Sequence, residues 1–545
     1  MLVSVAVTEP HARAGALKRQ VGFYGLLFLS LGSIIGSGWL LGALNAAEKA
    51  GPASILSWIL AALMLASLAV VYAELGATYP VAGGGARFPY YSHGPIAGFT
   101  AGWAAWLQAV FIAPIEALAA IAYLNSVDWV HTNMNMLDGG LLNTTGILVA
   151  LGFMVLFTAI NLAGAKFLSE SNTIVVIWKT AVPFLAVAVV AVKRFDFGNF
   201  STGGGFMPHG WHGVFAALTG GVVFGLQGFE QAVQLAGEAK DPKRDLARAV
   251  LIAMAIGAVL YALLQFVLIG AVLPTDVVNG WDKPLGSDPS AYGAWYTLAL
   301  AVGAGWLAKM LLIDAVVSPA GTGIVYVGTT ARLSYALGEE KEMPSLLATT
   351  DKRGVPVKSI LIGAVIGCIA LGPFKSWNEL VGVITGATAI MYGMAPIALA
   401  TLRRLDPDRQ RTYQMPLPSV MLPLSFCSAN LIIYWGGFAT TWKLALAMVV
   451  GFLLFAVGAM VKKTDALKSA RHAAWLVPWL GGQVVLGALG RYGGYDVLPA
   501  WVDILTVIAF SIGIYMLGIR TSMSAESIAA AIEKDAHQLE TTAAA

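Results

Sequence analysis

Residues 32–39 read GSIIGSGW and lie inside an apolar run, 21–44, that is long enough to cross a lipid bilayer. Each glycine in a helix costs about 1 kcal/mol relative to alanine, so three glycines in eight residues weaken the helix here. Main-chain N–H and C=O groups freed by a break are costly in lipid unless they line a cavity inside the protein. The stretch therefore predicts a membrane helix that is interrupted near its centre, beside a cavity.

A second stretch of this kind, GGVVFGLQGFE at 220–230, lies inside the apolar run 213–236. For either stretch alone, small residues that merely let helices pack closely are a real alternative. The two runs are the first and the sixth of the chain, which are corresponding positions if a unit of five helices is repeated. Paired interruptions at corresponding positions are the best sequence pointer to a transporter binding site.

The composition of the 545 residues indicates a membrane protein. Hydrophobic residues make up 58% of the chain and charged residues only 12%, with a mean hydropathy of +0.74. Soluble globular proteins carry about a quarter charged residues, and disordered chains are more polar still. The net charge of +3 is too small to indicate a nucleic-acid partner. These values predict an all-α, polytopic protein embedded in a lipid bilayer.

Fourteen apolar runs are candidates for membrane spans, and we number them one to fourteen. They are 21–44, 55–79, 96–124, 145–165, 174–192, 213–236, 250–273, 304–337, 360–373, 380–402, 420–437, 444–461, 473–489 and 501–517. The ninth is short and the eighth is long. No loop between them exceeds about 30 residues, which is too short for a typical soluble domain.

Lysine and arginine placement predicts the orientation of the chain. With the N-terminus inside, 24 of the 33 basic residues fall in cytoplasmic segments and seven in outer segments, and Lys179 and Lys309 stay in the membrane. This is the bias of the positive-inside rule. We therefore expect a multi-pass protein of the cell membrane with both termini cytoplasmic, including an N-terminal segment, 1–20, and a C-terminal tail, 521–545.

Several motifs together resemble the amino acid–polyamine–organocation (APC) transporter superfamily. The first-helix signature is 32–38, and the region from the second to the third helix carries Ala73-Glu74-Leu75, Tyr79-Pro80 and Gly94-Pro95. The sixth-helix break and its following loop are similar over 224–244. Within the superfamily, APIEA at 113–117 and IDAVVSP at 313–319 resemble bacterial permeases of the aspartate:proton symporter type.

This resemblance implies a LeuT-like fold, in which two five-helix repeats have inverted topology and helices one and six are broken. The repeats are expected at 21–194 and 195–405. Spans eleven to fourteen, within 406–520, would then be accessory helices.

A broken helix offers both halves of a site for a zwitterion. The N-terminal end of the outer half-helix presents N–H groups and a positive dipole end to a carboxylate, while the preceding half-helix leaves carbonyls for an ammonium group. We predict that the amides of Gly36, Ser37 and Gly38 bind the substrate α-carboxylate. The remaining predicted substrate contacts are the carbonyls near Ser33, Ile34 and Phe224 for the amine, and Gln227, Gly228, Glu116 and Asp314 for the side-chain end.

Lys179, in span five, is the most informative ionisable residue, because charged groups at bilayer depth are costly and usually functional. By resemblance, it matches the lysine that takes the place of a sodium ion in proton-coupled members of the superfamily. The alternative is a lysine that extends toward the lipid headgroups. Ser318 and Thr322, one turn apart on span eight, could face its ammonium group, and Glu230 is a further candidate for proton handling.

The sequence thus predicts a proton-coupled symporter of a small amino acid, such as aspartate, that works by alternating access without a cofactor or a metal ion. Sodium coupling or exchange of an amino acid or amine stays open as an alternative, and so does the oligomeric state. A membrane-embedded enzyme is less favoured, since no histidine lies in the middle of a span. A channel is less favoured too, because paired broken helices indicate an occluding site.

Overall fold

The computed structural model describes residues 21–543 except 82, 164, 287–292, 340–341 and 462–464. In this part of the chain, the helices are α1 Phe23–Ile34, α2 Gly38–Ala50, α3 Ser54–Thr78, α4 Gly84–His93, α5 Pro95–Asn125, α6 Asp128–Met134, α7 Thr144–Ala163, α8 Ala165–Lys193, α9 Gly210–Ala217, α10 Val223–Leu226, α11 Gln231–Gln234, α12 Pro242–Ala271, α13 Pro274–Val277, α14 Ala294–Ala301, α15 Gly305–Glu339, α16 Val357–Ala370, α17 Trp377–Leu405, α18 Pro418–Trp435, α19 Phe438–Val461, α20 Leu476–Leu489, α21 Val502–Arg520 and α22 Ala525–Ala543. Two short strands, β1 Leu137–Asp138 and β2 Leu141–Leu142, form an antiparallel pair.

The helices confirm an all-α, polytopic membrane protein. Among the described residues, eleven helical segments are long and apolar enough to cross a membrane, and one of them, Gly38–Thr78, joins α2 to α3. Three shorter apolar segments, Phe23–Ile34, Gly210–Leu226 and Val357–Ala370, lie at the predicted first, sixth and ninth spans. Each of the fourteen predicted runs therefore contains helix, and the short ones are the two broken spans and the ninth.

We call the face at which α1 begins the inner face and the face at which α2 ends the outer face.

Spans two, three and four each pack against the span five places later, as α3 with α12, α5 with α15 and α7 with α16. This pairing is expected of two repeated units of five helices. The exact limits of the two repeats remain a prediction.

Both predicted interruptions are present. In the first span, α1 ends at Ile34 and α2 begins at Gly38, with Ile35 outside helical geometry (φ −93°, ψ 81°). In the sixth span, α10 ends at Leu226 and α11 begins only at Gln231.

Gly228 is the residue that brings the two breaks together. Its φ of +116° is one that L side chains rarely adopt. A Cβ atom at this position would lie 2.7 Å from the Cβ of Ser33 and 2.9 Å from the main-chain nitrogen of Ile34. The sixth span can therefore touch the break in the first span only because residue 228 has no side chain.

A buried ion pair connects several helices at the inner end of the bundle. Glu74 of α3 is fully buried and accepts hydrogen bonds from Nε and Nη2 of Arg403 at the end of α17, at 2.7 and 2.5 Å. The Glu74 carboxylate also lies 3.6 Å from Nε of Arg411 and accepts from the main-chain N–H of Met415 at 2.8 Å. Glu74 thus ties α3 to α17 and to the segment that leads into α18.

The accessory helices pack on the same side of the core. α18 lies against α3 and α17, and α19 and α21 also contact α17. Within this group, the buried Asp503 of α21 accepts a hydrogen bond from the hydroxyl of Tyr434 at 2.7 Å.

Gly228→Ala should disrupt the contact between the two breaks. The added Cβ meets the main chain of the first break, and the backbone strain alone costs of the order of 1–3 kcal/mol. We expect a lower yield of folded protein in detergent and a loss of substrate uptake. The matched control is Gly152→Ala on α7, where nothing lies within 4 Å of the added Cβ. Equal behaviour of the two variants would contradict the packing described here.

Glu74→Ala should lower the stability of the inner end. Removing one partner of a buried ion pair leaves the other uncompensated and costs about 3–5 kcal/mol. The measurement is thermal unfolding of the purified protein in detergent, in which the transition should shift to lower temperature. Glu526→Ala, at an exposed carboxylate of α22, is the control and should leave the transition in place. A shift of the same size in both variants would argue against the anchoring role of Glu74.

Candidate functional site

A narrow cavity lies between the two broken spans. Its lining residues are Ser33, Ile34, Gly36, Gly38, Ile112, Glu116, Phe224, Gln227, Thr322 and Tyr326. Most of the predicted substrate contacts therefore meet in one place, together with Thr322 from the predicted coupling group. Gly228 forms the contact between the breaks, and Asp314 is not among the lining residues.

Glu116 of α5 binds directly to the first break. Its Oε2 accepts a hydrogen bond from the main-chain N–H of Ser37 at 2.8 Å, and its Oε1 accepts one from the Ser37 hydroxyl at 3.1 Å. The Glu116 side chain is only 1% exposed. Ser37 precedes the first residue of α2, so the carboxylate lies at the positive end of that helix dipole. One of the amides predicted for the substrate carboxylate thus holds a carboxylate of the protein itself.

Trp377, the first residue of α17, contacts both Ser37 and Phe224. Its indole Nε1 donates to the Ser37 hydroxyl at 3.1 Å, and its ring stands perpendicular to that of Phe224 at 5.5 Å between centroids. A chain of hydrogen bonds therefore runs from Trp377 through Ser37 to Glu116. Sequence reasoning missed Trp377, because a tryptophan at the end of a span is typical of an anchor at the membrane surface.

Two polar side chains in the cavity have unused hydrogen-bonding capacity. The Ser33 hydroxyl and the Gln227 amide nitrogen are buried and make no hydrogen bond of good geometry with the described residues. Thr388 lies 3.3 Å from the Gln227 amide, but its single hydroxyl proton goes to the carbonyl of Ile384 at 2.8 Å. That proton can go instead to Oε1 of Gln227, whereas the Gln227 amide nitrogen has no such partner and remains available to a ligand.

Lys179 of α8 is buried beside the first break rather than extended toward lipid headgroups. Its Nζ donates to the main-chain carbonyl of Gly32 and to Oγ1 of Thr322, each at 2.6 Å, and the residue is 1% exposed. A second narrow cavity borders this lysine, lined by Phe28, Leu29, Gly32, Ser33, Val175, Lys179, Gly321 and Val325. The ammonium group therefore links α8, α1 and α15.

The two hydroxyls predicted to face Lys179 have different partners. Thr322 binds the ammonium group, whereas Ser318 donates to Oδ1 of Asp314 at 2.7 Å. Asp314 and Ser318 are four residues apart and share a face of α15, and both are fully buried.

Glu230 holds the turn that follows the break in the sixth span. Its carboxylate accepts from the Tyr392 hydroxyl at 2.5 Å and from the main-chain N–H of Gly228 at 3.0 Å. The side-chain amides of Gln108 and Gln231 also donate to it, each at 3.3 Å. Tyr392 lies in the middle of α17, far along the chain, so no local pattern could have identified it as a partner.

Comparison with known proteins finds amino acid permeases and transporters. A sequence model described as "Amino acid permease" matches residues 21–455. The glutamate/serine transporter AimA of Bacillus subtilis is 33% identical over 530 residues, which cover 96% of both chains. The aspartate-proton symporter of the same organism is 30% identical, over 92% of this chain and 96% of the relative. The branched-chain amino acid permease BcaP, also from B. subtilis, is 26% identical over 81% of this chain and 93% of the relative.

The family match covers most of the chain, and it includes both broken spans and every residue of the cavity. Two of these relatives align along nearly their whole length at 30% identity or more. The chain therefore belongs to the amino acid permease family of the APC superfamily.

Proposed function

We propose that this protein is a proton-coupled symporter of a small amino acid and that it works by alternating access. The observation that carries the proposal is the buried ammonium group of Lys179, which donates to the Gly32 carbonyl at the first break and to Thr322 on α15. An ionisable group that holds a broken helix can link a change in protonation to a change in the position of that helix.

The substrate is proposed to bind across the break in the first span. Its α-carboxylate would accept from the amides of 36–38, at the positive end of the α2 dipole, and its amine would donate to carbonyls near Ser33, Ile34 and Phe224. The cavity between the breaks reaches residues of both groups.

Glu116 couples binding of the substrate carboxylate to binding of a proton. Its carboxylate takes the Ser37 N–H, and two negative carboxylates repel each other when they compete for one donor. Protonation of Glu116 removes its charge and weakens its hold on the amide. Binding of a proton and binding of the substrate carboxylate would therefore favour each other.

Lys179 supports proton coupling over sodium coupling. Its ammonium group is bound by a main-chain carbonyl of α1 and a hydroxyl of α15, which are oxygen ligands of the kind that a hard cation would use. Loss of a proton from Lys179 removes the charge that draws these oxygens together. The first span would then be freer to move against α8 and α15, and this movement would open the site toward one side of the membrane.

The polar lining of the cavity favours a substrate with an oxygen in its side chain. The Ser33 hydroxyl and one atom of the Gln227 amide are available to such a group. Two relatives are named for glutamate, serine or aspartate, all of which carry a side-chain oxygen. We therefore propose serine, aspartate or glutamate as the class to test first.

We further propose that the protein lies in the cell membrane with both termini cytoplasmic. The inner face carries Arg403, Arg404 and Arg411 beside α17, in agreement with the excess of basic residues that the positive-inside rule requires.

Lys179→Ala should strongly reduce accumulation driven by a proton gradient. The test uses proteoliposomes with an imposed pH gradient, no sodium, and labelled serine, aspartate and glutamate. Because the variant lacks the exchangeable proton of Lys179, gradient-driven uptake should fall about tenfold or more.

The control for this experiment is Lys309→Ala, which removes an exposed lysine of α15 and should keep its uptake. Uptake that requires sodium and does not respond to Lys179→Ala would overturn the proton-coupling assignment. The runner-up, a sodium-coupled transporter, would then be favoured.

Glu116→Gln should flatten the dependence of substrate affinity on pH. In the unmodified protein, affinity should fall as pH rises, because ionised Glu116 competes for the Ser37 amide. A single linked proton gives a limit of about tenfold per pH unit. The measurement is equilibrium binding of labelled substrate in detergent between pH 5 and pH 8.

Asp503→Asn is the matched control for Glu116→Gln, because it neutralises a buried carboxylate in the accessory helices. It should keep the pH dependence of the unmodified protein. A steep pH dependence that survives in Glu116→Gln would show that another group is linked to substrate binding.

A further inference from the structure

We propose that Asp314 is a second proton-binding site, which delivers protons to Lys179 along one face of α15 through Ser318 and Thr322. This inference rests on the proposed function, because it assigns the route by which Lys179 is loaded. Asp314 and Ser318 lie outside the lining of the cavity in which the substrate is proposed to bind, and Thr322 belongs to that lining.

The three residues form a ladder of polar side chains. Asp314, Ser318 and Thr322 are spaced by four residues, so they lie on the same face of the helix. They are 0%, 0% and 2% exposed. Ser318 donates to Asp314 at 2.7 Å, and Thr322 accepts from Lys179 at 2.6 Å. Carboxylate, hydroxyl, hydroxyl and ammonium thus follow one another inside the protein.

Hydroxyls farther along α15 show that the ladder is not the default arrangement. Thr330 and Ser334 donate to the main-chain carbonyls four residues before them, at 2.8 Å each. This is the usual way in which a membrane helix satisfies a serine or threonine. Ser318 instead turns to a carboxylate, so its hydroxyl is part of a path between side chains.

The Asp314 carboxylate has one oxygen ready for a proton. Oδ1 is held by Ser318, while Oδ2 is buried and makes no hydrogen bond of good geometry with the described residues. The indole N–H groups of Trp39 and Trp178 lie beside the carboxylate but are also without a well-formed bond. A buried, unsatisfied carboxylate oxygen is costly, and a proton relieves this cost by removing the charge.

The groups that face Asp314 come from several elements. Lys179 of α8 interacts electrostatically with both Asp314 and Glu116. Tyr123 of α5 is also close to Asp314, but its hydroxyl proton goes to the carbonyl of Leu40 at 3.0 Å. Lys309, on α15 itself, is exposed. Lys179 is therefore the basic group that the ladder reaches.

The proposed transfer moves one proton and changes no oxidation state. The O–H bond of protonated Asp314 breaks, its proton goes to Oγ of Ser318, and the proton of Ser318 passes toward Thr322. The gap between these two hydroxyls is one helical turn, about 5.4 Å, which a single bridging water can span. The Thr322 proton then forms a bond with Nζ of neutral Lys179. The products are an Asp314 carboxylate and a Lys179 ammonium group.

The position of Asp314 gives the path a direction. α15 runs from the outer to the inner face, and Asp314 precedes Thr322 by eight residues, so it lies about 12 Å nearer the outer end. The ladder would therefore collect protons from the outer side of the site. A symporter that takes up substrate with protons from outside requires this direction.

The experiment compares two transport modes of the full chain in proteoliposomes. One is uptake of labelled serine driven by a proton gradient, with proton influx followed by an internal pH dye. The other is exchange of labelled for unlabelled serine at equal pH on both sides, which requires no net proton delivery. In Asp314→Asn and Ser318→Ala, driven uptake and proton influx should fall about tenfold, and exchange by no more than about threefold.

Ser318→Thr, which keeps the hydroxyl, should restore driven uptake. Asp503→Asn and Ser511→Ala are the matched controls, since they alter a buried acid and a buried serine of α21, and they should retain both modes. An equal loss of both modes in Asp314→Asn, or no loss in either mode, would overturn the second proton site. Driven uptake that survives in Lys179→Ala would instead overturn the proposed function, so the two failures are distinguishable.

Discussion

The interior of a bilayer offers no water to a broken helix, and this constraint organises the whole centre of the protein. The groups freed at the break in the first span are bonded by side chains of other helices. The Gly32 carbonyl accepts from Lys179, and the Ile34 carbonyl accepts from Tyr261 at 2.9 Å. The Ser37 N–H donates to Glu116. Each break is therefore held by long-range contacts, and a movement of the first span must exchange some of them.

Two of these partners, Lys179 and Glu116, are ionisable, so the bonds that hold the break depend on whether a proton is bound. When all are ionised, Glu116, Asp314 and Lys179 carry a net charge of −1, and burying net charge in a membrane protein is unfavourable. One added proton makes the group neutral. Lys179 and Glu116, which bond the broken main chain, thus belong to a group whose net charge changes when a proton binds.

Helix α17 carries residues that contact both broken spans. Trp377, Thr388 and Tyr392 all lie on it, and they contact Ser37, Gln227 and Glu230, respectively. α18, α19 and α21 pack on α17. The accessory helices thus brace the helix that supports both breaks, although they contribute no residue to the lining of the cavity between the breaks.

The sequence by itself determined the membrane class, the fourteen spans, the two interruptions and the prominence of Lys179, because hydropathy, glycine clusters and a charge inside an apolar run are local properties. The spacing of Ser318 and Thr322 also placed them one turn apart on span eight, since that follows from helical geometry. Only the tertiary structure decided that Glu116 binds the Ser37 amide, that Ser318 faces Asp314 while Thr322 faces Lys179, and that Trp377 covers the site. These contacts join residues from different helices, whose relative rotation and depth are set by packing of the whole bundle, and no local pattern contains that information.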